Sequence, residues 1–350
     1  MTLNFCTLFD THFITRGVAL YQSLVAQKID FKLHIFCFDD FTFQYLFAKK
    51  YANIVLVALS DLEDRYPELL ATKADRSVGE YCWTATSFSL RYCLEELKLP
   101  HCTYLDADTY FYETPELILS EKGNASVIVT PHHYYSQYDL SARSGIYCVQ
   151  FLYFENNPDG NRVLNWWSTA CAKWCYSRLE DGKFGDQKYL DFWPYYFPGV
   201  HINRHHGAGM APWNAIRYSV EVPSPGHYAL TLKESGVTFP LVFFHFHGLV
   251  FSKNHVRLTP DMYCIPSIVR DRIYKDYLYT LEKIRKEINA EFPDKNVSGT
   301  RPLEEATVIT YSRNYYFSVR SGLRQFLSVL AGGTIRNRLR NTVDLQQWHI

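Results

Sequence analysis

The sequence predicts an α/β protein with a doubly wound, mostly parallel mixed sheet flanked by helices, followed by a helical C-terminal appendage. Short apolar runs alternate with helical patterns through the first half of the chain. Strands that alternate with helices need crossover connections, and these favour parallel strands. After about residue 265 the pattern changes to charged, amphipathic helices. The predicted organisation is therefore one α/β domain over residues 1–265 and a basic helical region over residues 266–350.

The individual elements follow from hydrophobic periodicity. Continuous apolar runs predict strands that are covered on both faces, at residues 3–8, 33–38, 54–58, 103–105, 126–130, 146–154 and 241–247. Apolar stripes at helical spacing predict helices at residues 16–28, 84–97, 161–176 and 268–288. Thr84 or a neighbour is the predicted N-cap of the second helix, and Pro100 follows its end. Residues 198–240 are rich in Gly, Pro and His and are predicted to be loops.

The composition excludes several functional classes. The 350 residues include 36 basic and 36 acidic side chains, a balance that argues against a nucleic-acid partner. A hydrophobic fraction of 47% with 21% charged residues argues against disorder. No apolar run reaches the roughly 20 residues that cross a bilayer, and the first ten residues lack a signal peptide's layout. Nine cysteines without CxxC spacing indicate reduced thiols. We therefore expect a cytoplasmic protein.

The most informative local feature is the run YLDADT at residues 104–109. An apolar strand there delivers Asp106 and Asp108 at its carboxyl end, where open α/β sheets bind ligands. Two carboxylates at this spacing suit an Mn²⁺ or Mg²⁺ ion that also holds the oxygens of a diphosphate. The alternative is a polar strand end without a ligand. In a strand over 241–247, His245 and His247 share one face, and His245 is the predicted third metal ligand.

The YLDADT run resembles the strand and DxD signature of GT-A-fold glycosyltransferases, specifically family 8, and this resemblance covers roughly residues 1–265. It implies that Asp10, and less directly Asp39, contact the nucleoside, and that Arg91 contacts the donor. Ser144 and Gly145 resemble part of the family's Asn-Ser-Gly turn. The matching positions are Asp10 in FDTHF, Arg91, Arg143-Ser144-Gly145, Asp186-Gln187 and His245-Phe246-His247-Gly248.

The resemblance also assigns the residues at the reacting sugar. It implies that Asp186 and Gln187 face the reacting carbon, although Asp186 is also a candidate helix cap. Two positions depart from the family pattern. Arg143 replaces the family's asparagine, and Phe251 replaces its lysine. Lys253 is therefore the candidate for the phosphate contact.

Residues outside these motifs are candidate substrate contacts. Trp213 and Asn214 end a glycine-rich segment and suit stacking on and hydrogen bonding to a sugar, or a tight loop packed by Trp213. His133 follows the strand at 126–130 and is predicted to line the cleft or to lie in a surface loop. His247 is a further candidate, with a hydrogen-bonded structural histidine as the alternative.

The C-terminal segment 311–340 has six arginines and no acidic residue, with aromatic and leucine side chains between them. Basic amphipathic segments of this kind are typical of helices that lie on anionic membranes. The alternative is a helix packed on the α/β domain. Membrane binding by this segment would place the protein at the inner face of the cell membrane, near a lipid-linked acceptor.

Together with these observations, the resemblance to family 8 implies a metal-dependent glycosyltransferase. It would move a sugar from a nucleotide-diphosphate donor, with a UDP-sugar as the first choice, to a polysaccharide or lipid-linked glycan. Family 8 implies retention of configuration. A sugar-nucleotide pyrophosphorylase is less consistent, because residues 9–17 lack a Gly-rich basic loop. A non-catalytic glycan- or membrane-binding scaffold with the same fold remains the alternative from another class.

Overall fold

A computed structural model describes residues 2–252, 255–301 and 341–348. The strands are β1 (Leu3–Phe9), β2 (Phe31–Cys37), β3 (Ile54–Ala58), β4 (His101–Leu105), β5 (Thr109–Phe111), β6 (Val127–Pro131), β7 (Tyr147–Glu155), β8 (Val200–Ile202), β9 (Ala208–Met210), β10 (Tyr218–Ser224), β11 (His227–Leu232), β12 (Thr238–Pro240), β13 (Phe243–His245), β14 (Val250–Ser252), β15 (His255–Arg257) and β16 (Thr342–Asp344). The α-helices are α1 (Ile14–Ala26), α2 (Asp40–Lys49), α3 (Leu59–Arg65), α4 (Pro67–Leu70), α5 (Val78–Glu95), α6 (Glu116–Leu119), α7 (Ser141–Ser144), α8 (Pro158–Lys173), α9 (Trp193–Tyr196) and α10 (Lys275–Glu291). A π-helix, Val269–Tyr274, leads directly into α10.

The main sheet has seven strands in the order β3-β2-β1-β4-β7-β6-β8. Strands β1, β2, β3 and β4 are parallel to one another, and β8 is parallel to β6. Only β7 runs antiparallel to its neighbours in this sheet. The predicted mostly parallel, mixed α/β sheet with flanking helices is confirmed.

Six of the seven predicted strands belong to this sheet, each within two residues of its predicted bounds. The seventh prediction, residues 241–247, was too long. Only Phe243–His245 is a strand, and it belongs to a separate sheet in the order β5-β13-β9. Its partners β5 and β9 have three residues each, so a longer strand there has no neighbours to pair with.

Helix α5 begins earlier than the sequence predicts. Ser77 is its N-cap, and Ser77 and Glu80 form a capping box in which each side chain satisfies the other residue's backbone N–H. Thr84, the predicted N-cap, lies inside the helix, and its hydroxyl donates to the Glu80 carbonyl (2.8 Å). The capping box satisfies two free N–H groups, which explains why the helix extends back to Val78.

The hydrophobic core has two main clusters, one on each face of the main sheet. The first contains Phe5, α1 and also α10, and the ring of Phe246 stacks on Tyr277 of α10 at 3.6 Å. The second lies under α5 and α8 and includes Trp167. Because α10 shares the first cluster with β1, the predicted division at residue 265 does not coincide with a break in the core.

The basic segment 311–340 lies outside the described residues, and so does Lys253. After that segment, β16 pairs antiparallel with β15, so residues 342–344 form a strand where a helical region was predicted. In the described parts of the chain, no helix combines the length and apolar character needed to cross a membrane.

Candidate active site

The two carboxylates of the Asp-x-Asp pair lie in a tight turn between β4 and β5. The backbone N–H of Asp106 donates to the Gln150 carbonyl (3.2 Å) on the neighbouring strand β7. The Asp106 carbonyl accepts from both the N–H (3.1 Å) and the hydroxyl (2.8 Å) of Thr109. Ala107, between the two acids, is buried. The turn thus fixes both carboxyl groups at the carboxyl end of β4.

His245 meets this pair because β13 lies antiparallel to β5, with His245 opposite Thr109. The Nε2 atom of His245 is 3.1 Å from Oδ1 of Asp108 and 3.7 Å from Oδ2 of Asp106. The structure therefore brings together the three residues that the sequence proposes as metal ligands. The ring of His247 contacts the ring of His245 (5.6 Å), so the two histidines lie on the same side.

Gln150 determines the orientation of the His245 ring. Its Oε1 atom is 2.7 Å from Nδ1 of His245, and both side chains are buried. An amide oxygen only accepts hydrogen bonds, so Nδ1 donates and Nε2 is the nitrogen directed at the two carboxylates. Metal-binding histidines are commonly held in this way by an acceptor on the other ring nitrogen.

The electrostatics of the cluster favour a cation. Burial raises the pKa of Asp106 to about 6. Burial also opposes ionisation of Asp108, but the charge of His245 and its hydrogen bond lower the pKa of Asp108 to about 2. Burial likewise opposes a charge on His245, and the Asp108 carboxylate outweighs it and raises the pKa of His245 well above the ordinary value. Two acids in a largely buried turn thus draw a positive charge to Nε2.

The donor set fits a divalent metal ion. Two carboxylate oxygens and one imidazole nitrogen suit Mn²⁺ and, with less preference for the nitrogen, Mg²⁺. The buried thiol of Cys148 also lies close, within 4.8 Å of ligand atoms of Asp106 and His245.

Asp186 lies next to this cluster and is 6% exposed. Burial, and then the negative charge of Asp106, raise the pKa of Asp186 well above its ordinary value. The Asp186 carbonyl accepts from Nε1 of Trp167 (2.8 Å), which ties it to α8. The helix-cap alternative is not supported, because Gln187 occupies the N-cap position of the following 3-10 helix, Lys188–Phe192, without a side-chain cap.

The Ser144–Gly145 turn packs against the segment that carries Asp186 and Gln187. Gly145 has φ +102°, and a Cβ atom there would lie 3.1 Å from Oδ1 of Asp191 and 3.5 Å from the Gln187 carbonyl. The N–H of Ile146 donates to the same Asp191 oxygen (2.6 Å). The two motifs, 42 positions apart (187 − 145), therefore form one wall of the site.

Asp10 and Asp39 lie at the ends of β1 and β2, but both carboxylates have local partners. Asp10 accepts from the N–H of His12 (3.0 Å). Asp39 accepts from the N–H and hydroxyl of Thr11 (both 2.7 Å) and from the N–H of Thr42 (2.8 Å), the first turn of α2. Burial opposes the charge of Asp39, and these hydrogen bonds lower its pKa nevertheless. Asp39 thus couples the end of β1 to α2.

Arg91 is not brought to this cluster. Its guanidinium pairs with Glu95 (3.1 Å) and Glu68 (3.4 Å) and lies 3.4 Å from the Ser168 hydroxyl. One turn further along α5, Leu94 accepts from the side chain of Asn156, which also binds the Leu99 carbonyl. That contact lies at the amino end of β4, opposite the end that carries Asp106. The position of Arg91 near the end of α5 explains the difference.

Asn214, a candidate sugar contact, has structural partners within its own loop and at His132. Its side chain is fully buried, and its amide nitrogen donates to the carbonyls of His132 (2.9 Å) and Gly209 (3.0 Å). Its oxygen accepts from the N–H of Ala211 (2.9 Å). Trp213 donates to the same His132 carbonyl (2.8 Å) and is 4% exposed. The tight-loop alternative is thus the one that the structure favours.

His132, rather than its neighbour His133, is the histidine near the metal-ligand candidates. His132 packs against Trp213, and burial lowers its pKa to about 3. The hydrogen bond that its Nδ1 donates to the Ile146 carbonyl opposes this shift, and the nearby charges of His245 and His247 add to it. The side chain of His133 instead packs beside His206, with the two ring centroids 4.7 Å apart.

The sequence analysis missed three residues at or beside the site: Gln150, Cys148 and Arg16. A signal exists for Gln150, which is a buried amide within the otherwise largely apolar strand β7. Arg16 is 3% exposed and its charge helps to lower the pKa of Asp108. Two of its carbonyl partners, Leu249 and Ser298, are distant in the sequence, so no local pattern predicts them.

Two curated proteins of Bacillus subtilis (strain 168) are similar to the chain over most of its length. The uncharacterized protein YfnD is 28% identical over 301 residues, which cover 84% of this chain and 93% of YfnD. The uncharacterized protein YfnF is 31% identical over 270 residues, which cover 73% of this chain and 85% of YfnF. The chain belongs to the YfnF family. No family model matches the sequence.

Several solved structures resemble the chain at low sequence identity. The galactosyltransferase LgtC with donor and acceptor sugar analogues gives a TM-score of 0.48 at 12% identity, over 70% of this chain and 87% of LgtC. Mouse xyloside xylosyltransferase 1 gives a TM-score of 0.42 at 13% identity, over 60% of this chain and 88% of that protein.

Proposed function

We propose that this chain is a metal-dependent glycosyltransferase that uses a nucleotide-diphosphate sugar, with a UDP-sugar as the first donor to test. The observation that carries the proposal is the convergence of Asp106 and Asp108 on Nε2 of His245, whose other nitrogen is fixed by Gln150. An oriented imidazole beside two carboxylates at the carboxyl end of a strand suits a metal–diphosphate complex. The DxD resemblance agrees with this arrangement.

In this proposal Asp106, Asp108 and His245 hold Mn²⁺ or Mg²⁺. When bound, the ion supplies positive charge that stabilises the leaving diphosphate. Asp186 and Gln187 lie on the wall formed with the Ser144–Gly145 turn and face the sugar. In this position Asp186 lies near Asp106. The raised pKa of Asp186 means that its carboxylate takes up a proton readily.

The finer parts of the proposal rest on the family 8 resemblance and on composition. They are retention of configuration, a polysaccharide or lipid-linked acceptor, the nucleoside contact of Asp10, and attachment of the segment 311–340 to an anionic membrane. Lys253 remains the proposed phosphate contact, because Phe251 is 3% exposed and faces the Arg16 guanidinium at 5.7 Å.

The test is thermal unfolding with a panel of nucleotide-sugars, in Mn²⁺ and in EDTA. A ligand that binds only the folded state raises its melting temperature by mass action, so the acceptor need not be known. We compare the wild type with Asp108→Asn, which keeps the shape of the side chain, and with Asp294→Ala, an exposed acid after α10.

We expect one nucleotide to raise the melting temperature of the wild type and Asp294→Ala in Mn²⁺ only, with no rise in Asp108→Asn. Release of the nucleoside diphosphate from that donor then measures turnover. If no nucleotide-sugar raises the melting temperature of the wild type, the glycosyltransferase proposal is wrong and the non-catalytic scaffold is the better reading. Stabilisation without turnover across acceptors would also favour the scaffold.

A further inference from the structure

A second group of potential metal ligands lies in the core, away from the Asp-x-Asp turn. The Sγ atoms of Cys6, Cys93 and Cys102 lie within 4.8 Å of one another, and all three residues are fully buried. Cys102 lies four positions before Asp106 along extended chain, a distance of about 13 Å. This three-cysteine cluster is therefore distinct from the candidate active site.

The main sheet explains how the three cysteines meet. Cys6 of β1 is in register with Tyr104 of β4, so Cys102, two residues earlier, points to the same face of the sheet. Helix α5 covers this face and places Cys93 over it. The cysteines thus come from three separate elements, β1, α5 and β4, so no CxxC pattern in the sequence indicates the cluster.

His34 supplies a fourth potential ligand on the same face. It lies on β2 in parallel register with Cys6, but neither ring nitrogen is within 4.8 Å of all three sulfurs, so the ring must move towards the cluster to bind a metal. His34 is 4% exposed, and neither of its ring nitrogens has a hydrogen-bond partner. Buried polar groups are nearly always satisfied, and an orphaned imidazole in a core is unfavourable unless an unseen partner binds it.

The chemistry of these four side chains matches a structural zinc site. Zinc in structural sites is tetrahedral and is commonly bound by three cysteines and one histidine, with Zn–S distances of about 2.3 Å. Sulfur atoms on such a tetrahedron are about 3.8 Å apart, which is compatible with the spacing of the cluster. Soft thiolate ligands also separate this site from the oxygen-rich active site, which suits Mn²⁺ or Mg²⁺.

We propose that Cys6, Cys93, Cys102 and His34 bind one zinc ion that fixes α5 to strands β1, β2 and β4. Each thiol releases its proton to solvent on binding, and neutral His34 binds through a ring nitrogen. The zinc would then have a structural role that is independent of glycosyl transfer. Helix α5 leads into β4, so this site would also steady the strand that ends at Asp106.

The test uses the full-length protein, purified under reducing conditions from zinc-supplemented cultures. We expect about one zinc per chain by elemental analysis. The zinc should be lost in Cys93→Ser and in His34→Phe, and retained in Cys171→Ser. Cys171 of α8 is a suitable control because it is a buried thiol close to Cys175, which follows the helix. These two cysteines join no three-ligand group among the described residues.

Cobalt substitution of the wild type gives a readout that does not depend on a variant folding. Tetrahedral cobalt bound by three thiolates absorbs strongly by thiolate-to-metal charge transfer, about threefold more than with the single thiol of Cys148 at the active site. Zinc binding should also persist in Asp108→Asn. A zinc-free wild type with no cobalt–thiolate absorption, or zinc lost in Asp108→Asn but kept in Cys93→Ser, would overturn the proposal.

Discussion

Gln150 contributes one oxygen to the site, and that oxygen decides which nitrogen of His245 faces the carboxylates. Replacing Gln150 by Met keeps a side chain of similar length and removes the acceptor for Nδ1. We expect Mn²⁺ to bind about 10–100-fold more weakly, the usual effect of losing a group that orients a metal ligand. Isothermal titration calorimetry with Mn²⁺ measures the change.

The matched control is Gln44→Met, the same substitution at an exposed position of α2. It should leave both the affinity and the melting temperature unchanged. Wild-type Mn²⁺ affinity in Gln150→Met would show that His245 does not need this hydrogen bond in order to bind metal.

His133 makes the folded state sensitive to acid. Burial, and then the charges of His206 and Arg217, lower its pKa to about 4, whereas the unfolded chain has a value of about 6.5. Between these values the unfolded state holds a proton that the folded state lacks, so stability falls as the pH decreases from 6.5 towards 4. At pH 5 this lowers the free energy of unfolding by about 2 kcal/mol relative to pH 7.

Urea unfolding at pH 7 and pH 5 tests this prediction. In His133→Gln the loss of stability between the two pH values should be about 2 kcal/mol smaller than in the wild type. His255→Gln, at an exposed position of β15, should lose as much as the wild type. Equal losses in His133→Gln and the wild type would mean that His133 titrates normally in the folded protein.

Strand β9 shows how closely a backbone element approaches the site. Gly209 has φ +86°, and a Cβ atom there would lie 2.3 Å from Nε2 of Gln150. Gly226, in the β10–β11 hairpin, has φ +79° but no atom within 4 Å of its Cβ position. The two glycines share backbone strain, and only Gly209 adds a clash.

We expect Gly226→Ala to lower the free energy of unfolding by about 1 kcal/mol, from backbone strain alone. Gly209→Ala should cost about 2–4 kcal/mol, because the clash displaces Gln150 in the packed core. Chemical denaturation of the two variants gives the comparison. Similar losses in both would indicate that Gln150 can move aside at no cost.

Prediction from sequence succeeded for long apolar elements and failed where pairing partners decide the outcome. Six strands of the main sheet were predicted because each is a buried, continuous apolar run. The strand at 241–247 was predicted too long because the length of β5 and β9 cannot be read from its own residues. At the site, the sequence predicted that Asp106, Asp108 and His245 lie together, and the structure places them so. The structural partners of Asn214, the carbonyls of His132 and Gly209, depend on the folded loop, and no local pattern predicts them.

At the scale of the whole molecule, Arg16 joins three parts of the chain. Its guanidinium donates to the carbonyls of His12 in its own segment (3.3 Å), Leu249 after the histidine motif (3.0 Å) and Ser298 after α10 (3.2 Å). It also lies over the ring of Phe13 at 4.4 Å. The three segments are anchored to each other by one buried charge.

We predict that Arg16→Met lowers the free energy of unfolding by about 2–4 kcal/mol, because it leaves buried carbonyls without donors. The methionine retains the apolar packing of the side chain, so the loss reports mainly on the hydrogen bonds. Hydrogen exchange should rise at residues 247–250 and 296–300 together, since the same guanidinium holds both.

Arg162→Met is the control, since Arg162 is exposed on α8 and pairs with Asp159 on the same helix (3.3 Å). It should change the free energy of unfolding by less than about 1 kcal/mol and leave hydrogen exchange unchanged at both segments. If Arg16→Met loosened only residues 296–300, Leu249 would have to be held by other contacts, and the segment after α10 would be separable from the loop that follows His247. Joint loosening would instead mean that the segment after α10 helps to build the site, and truncation before residue 296 should then weaken donor binding.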